Sequence, residues 1–408
     1  MRTYQDLFRT PEFTPLFLAS SGQVAAQTVS GLALGTLIFQ ATGSPLLSAL
    51  AMFGPALAQM IGATTLLSAA DRIPPRAALT WIALLFSLGT AAQAVPGIPV
   101  WGAFAIVLGL GVVASLGGGV RAGLLNEILA REGYLLGRSM FNISSGVVQI
   151  CGFAVGGVLV TALSPRGVLI AGAALYLLAA IAARFGLSSR RPRIVGRASI
   201  AETWRTNAQL WSSKPRRSVY LVLWVPNGLV VGCESLYVPY STQDAGLLFA
   251  CGAVGMLAGD IAVGRFVPKR WQVRLGVPLC LLLAAPFLVF ALNPALPVLM
   301  AAVTIATVGY STGLIFQDRL MELTPEELSG HALGLHGSGM LTMQGIGAAV
   351  AGAVAERTSP ATGITLTAAA SVAVTLMLIP GLRVRGEARE AIADDLALPE
   401  PSPGATGP

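Results

Sequence analysis

Apolar residues fall in long runs along this chain, broken at intervals by charges and by Gly/Pro turns. A helix needs about 20 mostly apolar residues to cross a bilayer. Twelve runs qualify: 13–39, 45–70, 77–95, 99–125, 139–163, 167–187, 218–241, 245–264, 274–292, 295–317, 331–355 and 361–380. The first contains Gln23 and Gln27 and is not followed by a small-residue cleavage site, so it reads as a retained span. The pattern predicts an all-α, polytopic membrane protein with 12 transmembrane helices.

The connections alternate in charge. Those at 40–44, 96–98 and 293–294 carry no charge, and two more on the same side carry only Arg166 and Arg357. The other 24 of the 26 Lys/Arg therefore belong to the opposite side, which the positive-inside rule makes cytoplasmic. Both termini are expected there, in a bacterial cytoplasmic membrane. The longest interior polar stretch, 188–217, reads as a basic linker in which Ile200, Trp204 and Trp211 recur at helical spacing. The expected organisation is a cytoplasmic segment 1–12, a six-helix bundle over 13–187, the linker 188–217, a second bundle over 218–382, and a disordered cytoplasmic tail over 383–408.

Composition agrees: 54% of residues are hydrophobic and 11% charged, too few to clothe a soluble protein of 408 residues. The net charge of +7 follows the topology, so no nucleic-acid partner is expected. Cys151, Cys233, Cys251 and Cys280 all lie in apolar runs without ligand spacing and read as small buried hydrophobes. With two histidines besides, neither a metal site nor a cofactor is expected. There is no Walker-type loop, Gly-x-Ser-x-Gly or His-Glu-x-x-His, so an enzyme is not expected either.

An ungapped offset of 193 residues superposes several punctuating positions: Gly62 on Gly255, Arg72 on Arg265, Pro75 on Pro268, and Arg76 on Lys269. Gly137, Ser145, Gly146 and Gly152 likewise meet Gly330, Ser338, Gly339 and Gly345. Two parallel six-helix repeats flanking a central site are one known transporter plan.

The architecture and its motifs resemble the major facilitator superfamily. The segment after the second run, Ser68 to Arg76, keeps the Asp-Arg pair (Asp71, Arg72) and a later Arg of that family's loop; Gly259 to Arg270 is its counterpart in the second half. Arg121-Ala-Gly-Leu-Leu-Asn-Glu127 and the stretch Asn142 to Gly157 are similar to segments of macrolide-efflux-type exporters. The second stretch overlaps the family's antiporter motif, with Phe153 where that motif has Pro. The resemblance implies a monomeric secondary transporter that exports small amphiphilic molecules, such as antibiotics, by proton antiport. Its partners would be the substrate, protons and the lipid bilayer. It also implies a gating latch around Asp71, Arg72 and Arg76, with Arg121, Glu127, Asp260 and Arg265 as partners. Nutrient uptake, siderophore or metabolite export, and a non-transporting receptor are the alternatives.

Glu234 is the one acidic residue well inside a predicted span. A charge at the bilayer centre costs about 2.5–3.5 kcal/mol on insertion scales, so such a residue normally faces a cavity or partner. It is the candidate proton-coupling carboxylate. Polar stripes at helical spacing give candidate cavity residues: Gln23 and Gln27, Asn142 and Gln149, Asn227 and Tyr237, and Ser311. Helix–helix hydrogen bonding is the competing reading for each stripe, and the favoured one for Gln59 and Gln344.

Overall fold

The computed structural model describes residues 4–70, 73–129, 131–190, 200–325 and 328–382. Twelve helices are long and apolar enough to span a membrane: α1 (Phe13–Thr42), α2 (Pro45–Gly62), α3 (Pro75–Gln93), α4 (Val100–Ile128), α5 (Ile143–Val160), α6 (Ala162–Gly186), α7 (Lys214–Tyr240), α8 (Ala245–Phe266), α9 (Arg274–Leu292), α10 (Leu296–Glu322), α11 (His331–Arg357) and α12 (Pro360–Gly381). Each lies on one of the expected runs.

At one end of the bundle the helices reverse through very short turns. Gly43 takes φ 66° and donates its N–H to the Phe39 carbonyl at 2.8 Å. This left-handed cap closes α1 without a Cβ penalty. Gly97 (φ 84°) and Asn293 (φ 44°) serve the α3–α4 and α9–α10 turns. Ser164 (φ 72°) breaks an otherwise continuous helical path between α5 and α6. This is the turn end; Tyr4, Leu382 and most of the described basic residues lie at the other, the basic end.

The 193-residue repeat has a packing counterpart. A Cβ on Gly62 would come within 2.6 Å of the Val112 carbonyl, and one on Gly255 would run into the Thr304 carbonyl and Thr307 hydroxyl. Small residues thus set the α2–α4 and α8–α10 crossings in the same way, which favours close backbone approach. The equivalence is partial. Gly339 abuts the Trp224 ring, whereas its counterpart Gly146 faces open space.

The halves meet along two seams, α2 with α11 and α5 with α8. Between them runs the linker, whose expected helix forms at Ile200–Ser212. Its end is fixed by Arg216, which is completely buried. The guanidinium donates to the carbonyls of Gln209 (3.1 Å), Leu210 (3.2 Å) and Leu323 (3.2 Å). Those carbonyls end the linker helix and α10, where the last turn lacks intrahelical partners and favours a cation. Trp211 stacks on Trp224 at 5.5 Å, adding an apolar anchor to the second half. At the linker's start, Glu12 accepts from the Ser188 N–H and hydroxyl and pairs with Arg190 at 3.1 Å.

Arg216→Ala is therefore expected to destabilise the protein by about 3 kcal/mol or more, since it opens a cavity and strands three buried carbonyls. Thermal unfolding in detergent reads this directly. The tail 383–408, expected to be disordered, and linker residues 191–199 lie outside the described residues.

Candidate transport pathway

The turn end is closed by contacts between the halves. In α5 and α8, Gly157 and Gly246 approach backbone to backbone, so closely that a Cβ on either would strike the other's Cα. Beneath them the rings of Phe153 and Phe249 stack, with centroids 4.6 Å apart and planes 9° from parallel. Phe153 is the residue that departs from the antiporter motif. Here it supplies a flat apolar contact across the seam. On the opposite seam Glu356 accepts from the Ser44 hydroxyl (2.7 Å) and the Leu46 N–H (3.3 Å), tying the end of α11 to the α1–α2 turn. Gly352 packs on Leu46 and Ala49 nearby, and Gly345 packs on Leu57 at mid-depth.

Below this closure the seams carry exposed polar side chains. Gln27 on α1, Gln149 on α5 and Ser338 on α11 are all exposed within spans. An amide facing lipid has nothing to bond with, so exposed polar side chains within spans are expected to face water or a partner.

Glu234 sits two turns from the closed end of α7. It is partly exposed, while its neighbours Cys233 and Ser235 are fully buried. Tyr310 on α10 donates its hydroxyl to Glu234 Oε1 at 2.9 Å. A carboxyl held by one neutral donor, with no ion pair to it among the described residues, can exist protonated or ionised without dismantling its surroundings. Tyr310→Phe removes that donor. We expect a reduced but measurable transport rate, as read in flux measurements at fixed pH.

The other cavity candidates divide. Gln23 is half-buried and Gln27 and Gln149 are exposed; Asn142 lies in the helical turn that leads into α5, with its side chain outside the described residues. Asn227 accepts from the Gln344 side-chain amide at 3.0 Å, so α7 and α11 use this pair for packing. Two candidates are corrected. Tyr237 is 1% exposed, enclosed by Phe249, Phe287 and Phe290, and forms part of the second half's core. Ser311 is fully buried and donates to its own helix at the Val308 carbonyl. Helical spacing put both on a polar stripe but did not reveal which neighbours cover it.

Of the gating candidates, Asp71 and Arg72 lie outside the described residues. Arg76 and Arg121 are half-buried at the basic ends of α3 and α4. Glu127 pairs with Arg190 of the linker at 3.6 Å. Asp260 and Arg265 are both exposed at the basic end of α8, and among the described residues no ion pair joins them. Cys151 also differs from expectation: it is exposed on α5, whereas Cys233 and Cys280 are buried.

Sequence reasoning missed Tyr310, Phe249, Glu356 and Gln93. The only signal for Tyr310 in the sequence is its place beside Ser311; Glu356 is hidden next to Arg357 at a helix end.

A sequence model described as Major Facilitator Superfamily matches residues 16–348. No curated protein matches the chain. Solved structures similar to it include a bacterial homolog of the human lysosomal transporter Spinster, in an inward-facing and unoccupied conformation (TM-score 0.69, 12% identity, covering 94% of this chain and 97% of that one). A mutant of the nucleoside transporter NupG is similar at TM-score 0.69 and 13% identity, covering 91% and 99%. A POT family transporter in complex with a thioalcohol-conjugated peptide is similar at 0.68 and 10%, covering 91% and 96%. At these identities the likeness is one of fold.

Proposed function

Because the chain belongs to the major facilitator superfamily, we propose that it exports small amphiphilic molecules, antibiotics among them, by proton antiport with alternating access. The observation that carries this reading is Glu234: an acidic side chain inside a span, bonded to Tyr310, and lying just below the closed turn end. The distribution of Lys and Arg supports placing the basic end and both termini in the cytoplasm of a bacterial cell. On that orientation a cleft between the halves opens inward, and Glu234 meets protons and substrate from the cytoplasmic side. In the alternate state, release of the Gly157–Gly246 and Phe153–Phe249 contacts exposes the same carboxyl outward. Substrate and proton then compete for one site, which is how a downhill proton drives an uphill solute.

The segments Arg121 to Glu127 and Asn142 to Gly157 support the macrolide-efflux-type branch in particular. The site is complete within one chain, consistent with a monomer. The test is a susceptibility panel of antibiotics, cationic dyes and metabolites, compared between cells with and without the protein. Export raises tolerance to the transported compounds. An uptake carrier gives the opposite sign, and a receptor changes nothing.

A further inference from the structure

The first half contains a partly open internal space that the reading above does not use. It lies within the bundle of α1, α2, α3, α4 and α6 and has a volume of about 60 Å³. Gln27, Ser30, Gln59, Thr90, Gln93 and Tyr176 supply its polar wall. A site needs only about 10–15 Å³ of such volume to hold a water, so there is room for a few waters or one small polar group such as a hydroxymethyl or carboxamide.

Two of these side chains are buried without a partner. Ser30 is 8% exposed and Gln93 3% exposed, and among the described residues neither the Ser30 hydroxyl nor the Gln93 amide nitrogen has a hydrogen-bond partner. Leaving such a group unmet costs about 1–3 kcal/mol, so a protein rarely keeps two around one space without something to meet them. The wall is shaped to hold the hydroxyl: a Cβ on Gly172 would strike the Ser30 oxygen. Among the described residues no carboxylate, ammonium or guanidinium lines the space, so a charged group would enter it uncompensated. Gln27, another lining residue, is exposed, so the space opens at α1 to the outside of the first bundle.

We propose that this cavity is a recognition subsite for a neutral hydrogen-bonding group, hydroxymethyl or carboxamide in size, carried by the transported molecule. The proposal rests on the export reading, in which an amphiphile occupies a cleft between the halves. The first half then reads a neutral polar group, while the second half holds the ionisable carboxyl.

The test uses full-length protein in lipid nanodiscs, titrated with doxorubicin and daunorubicin. These fluorescent amphiphilic amines differ by one hydroxyl on the acetyl side chain. Wild type is expected to bind doxorubicin about fivefold more tightly, the equivalent of roughly one net hydrogen bond. Ser30→Ala and Gln93→Leu should each bring the ratio to about one by weakening doxorubicin. Both should also raise the melting temperature, because an orphaned polar atom has gone. A ratio of one in wild type, including no binding of either drug, overturns the subsite. So does a ratio unchanged in both variants; with a lowered melting temperature, that result identifies ordered water as the sole occupant. Glu234→Gln, assayed for doxorubicin efflux in cells, judges the export reading separately. Full efflux there removes the coupling role of Glu234 and leaves the hydroxyl ratio to decide the subsite.

Discussion

Glu234→Gln is expected to abolish proton-driven export while leaving a folded protein that still binds its substrate. The carboxamide has nearly the shape of the carboxyl, and its oxygen still accepts the Tyr310 hydroxyl held at 2.9 Å. Its structural role is thus preserved. What is lost is the capacity to exchange a proton between the two states. Because the variant removes a potential charge that costs about 2.5–3.5 kcal/mol at the bilayer centre, its melting temperature should equal or exceed that of wild type. Tolerance in the susceptibility panel should fall to that of cells lacking the protein, whereas exchange of labelled for unlabelled substrate persists. A folded variant with full energised export would remove Glu234 from the mechanism. Loss of both exchange and export, with a normal melting temperature, would instead make it a substrate-binding residue.

The second large effect is expected from Gly246→Val. Gly157 and Gly246 touch through their backbones, and a Cβ at either position strikes the other's Cα. Valine at 246 therefore wedges α5 from α8 at the turn end. Overpacking costs about 1–3 kcal/mol, and each 1.4 kcal/mol shifts a two-state population tenfold. The closed form should become scarcer by roughly tenfold to a hundredfold, and turnover should fall with it. The wedge lies at the seam and not inside either bundle, so each half should remain folded. Spin labels on the turn ends of α5 and α8 should report a longer mean distance than in wild type. An unchanged distance distribution would show that the glycines are incidental to closure.

Much of the fold was legible in the sequence because a bilayer imposes a simple rule: backbone polar groups must be met within the helix, so spans appear as long apolar runs. The linker helix at Ile200–Ser212 was legible for a related reason, since Trp204 and Trp211 stand out at helical spacing in a polar stretch. Glu234 stood out because an acid in a span is rare. Which residues surround it was not legible. Tyr310 reaches it from another helix, 76 positions along the chain. Tyr237, one turn from Glu234, was taken for a cavity residue but is sealed in an aromatic cluster. Phe153 read as a departure from a motif until Phe249 was found stacked against it. Each of these facts depends on packing between helices distant in sequence, and helical periodicity within one helix cannot report it.

The central claim is that substrate and proton share one alternating site. The most direct measurement is proton movement driven by substrate alone, in proteoliposomes with no imposed pH gradient. A compound selected by the susceptibility panel is loaded inside, diluted outside, and followed with an internal pH dye. The account predicts that outward movement of substrate draws protons inward, acidifying the lumen in vesicles carrying wild type and not in those carrying Glu234→Gln. Substrate efflux from wild-type vesicles without any change in lumenal pH would contradict it.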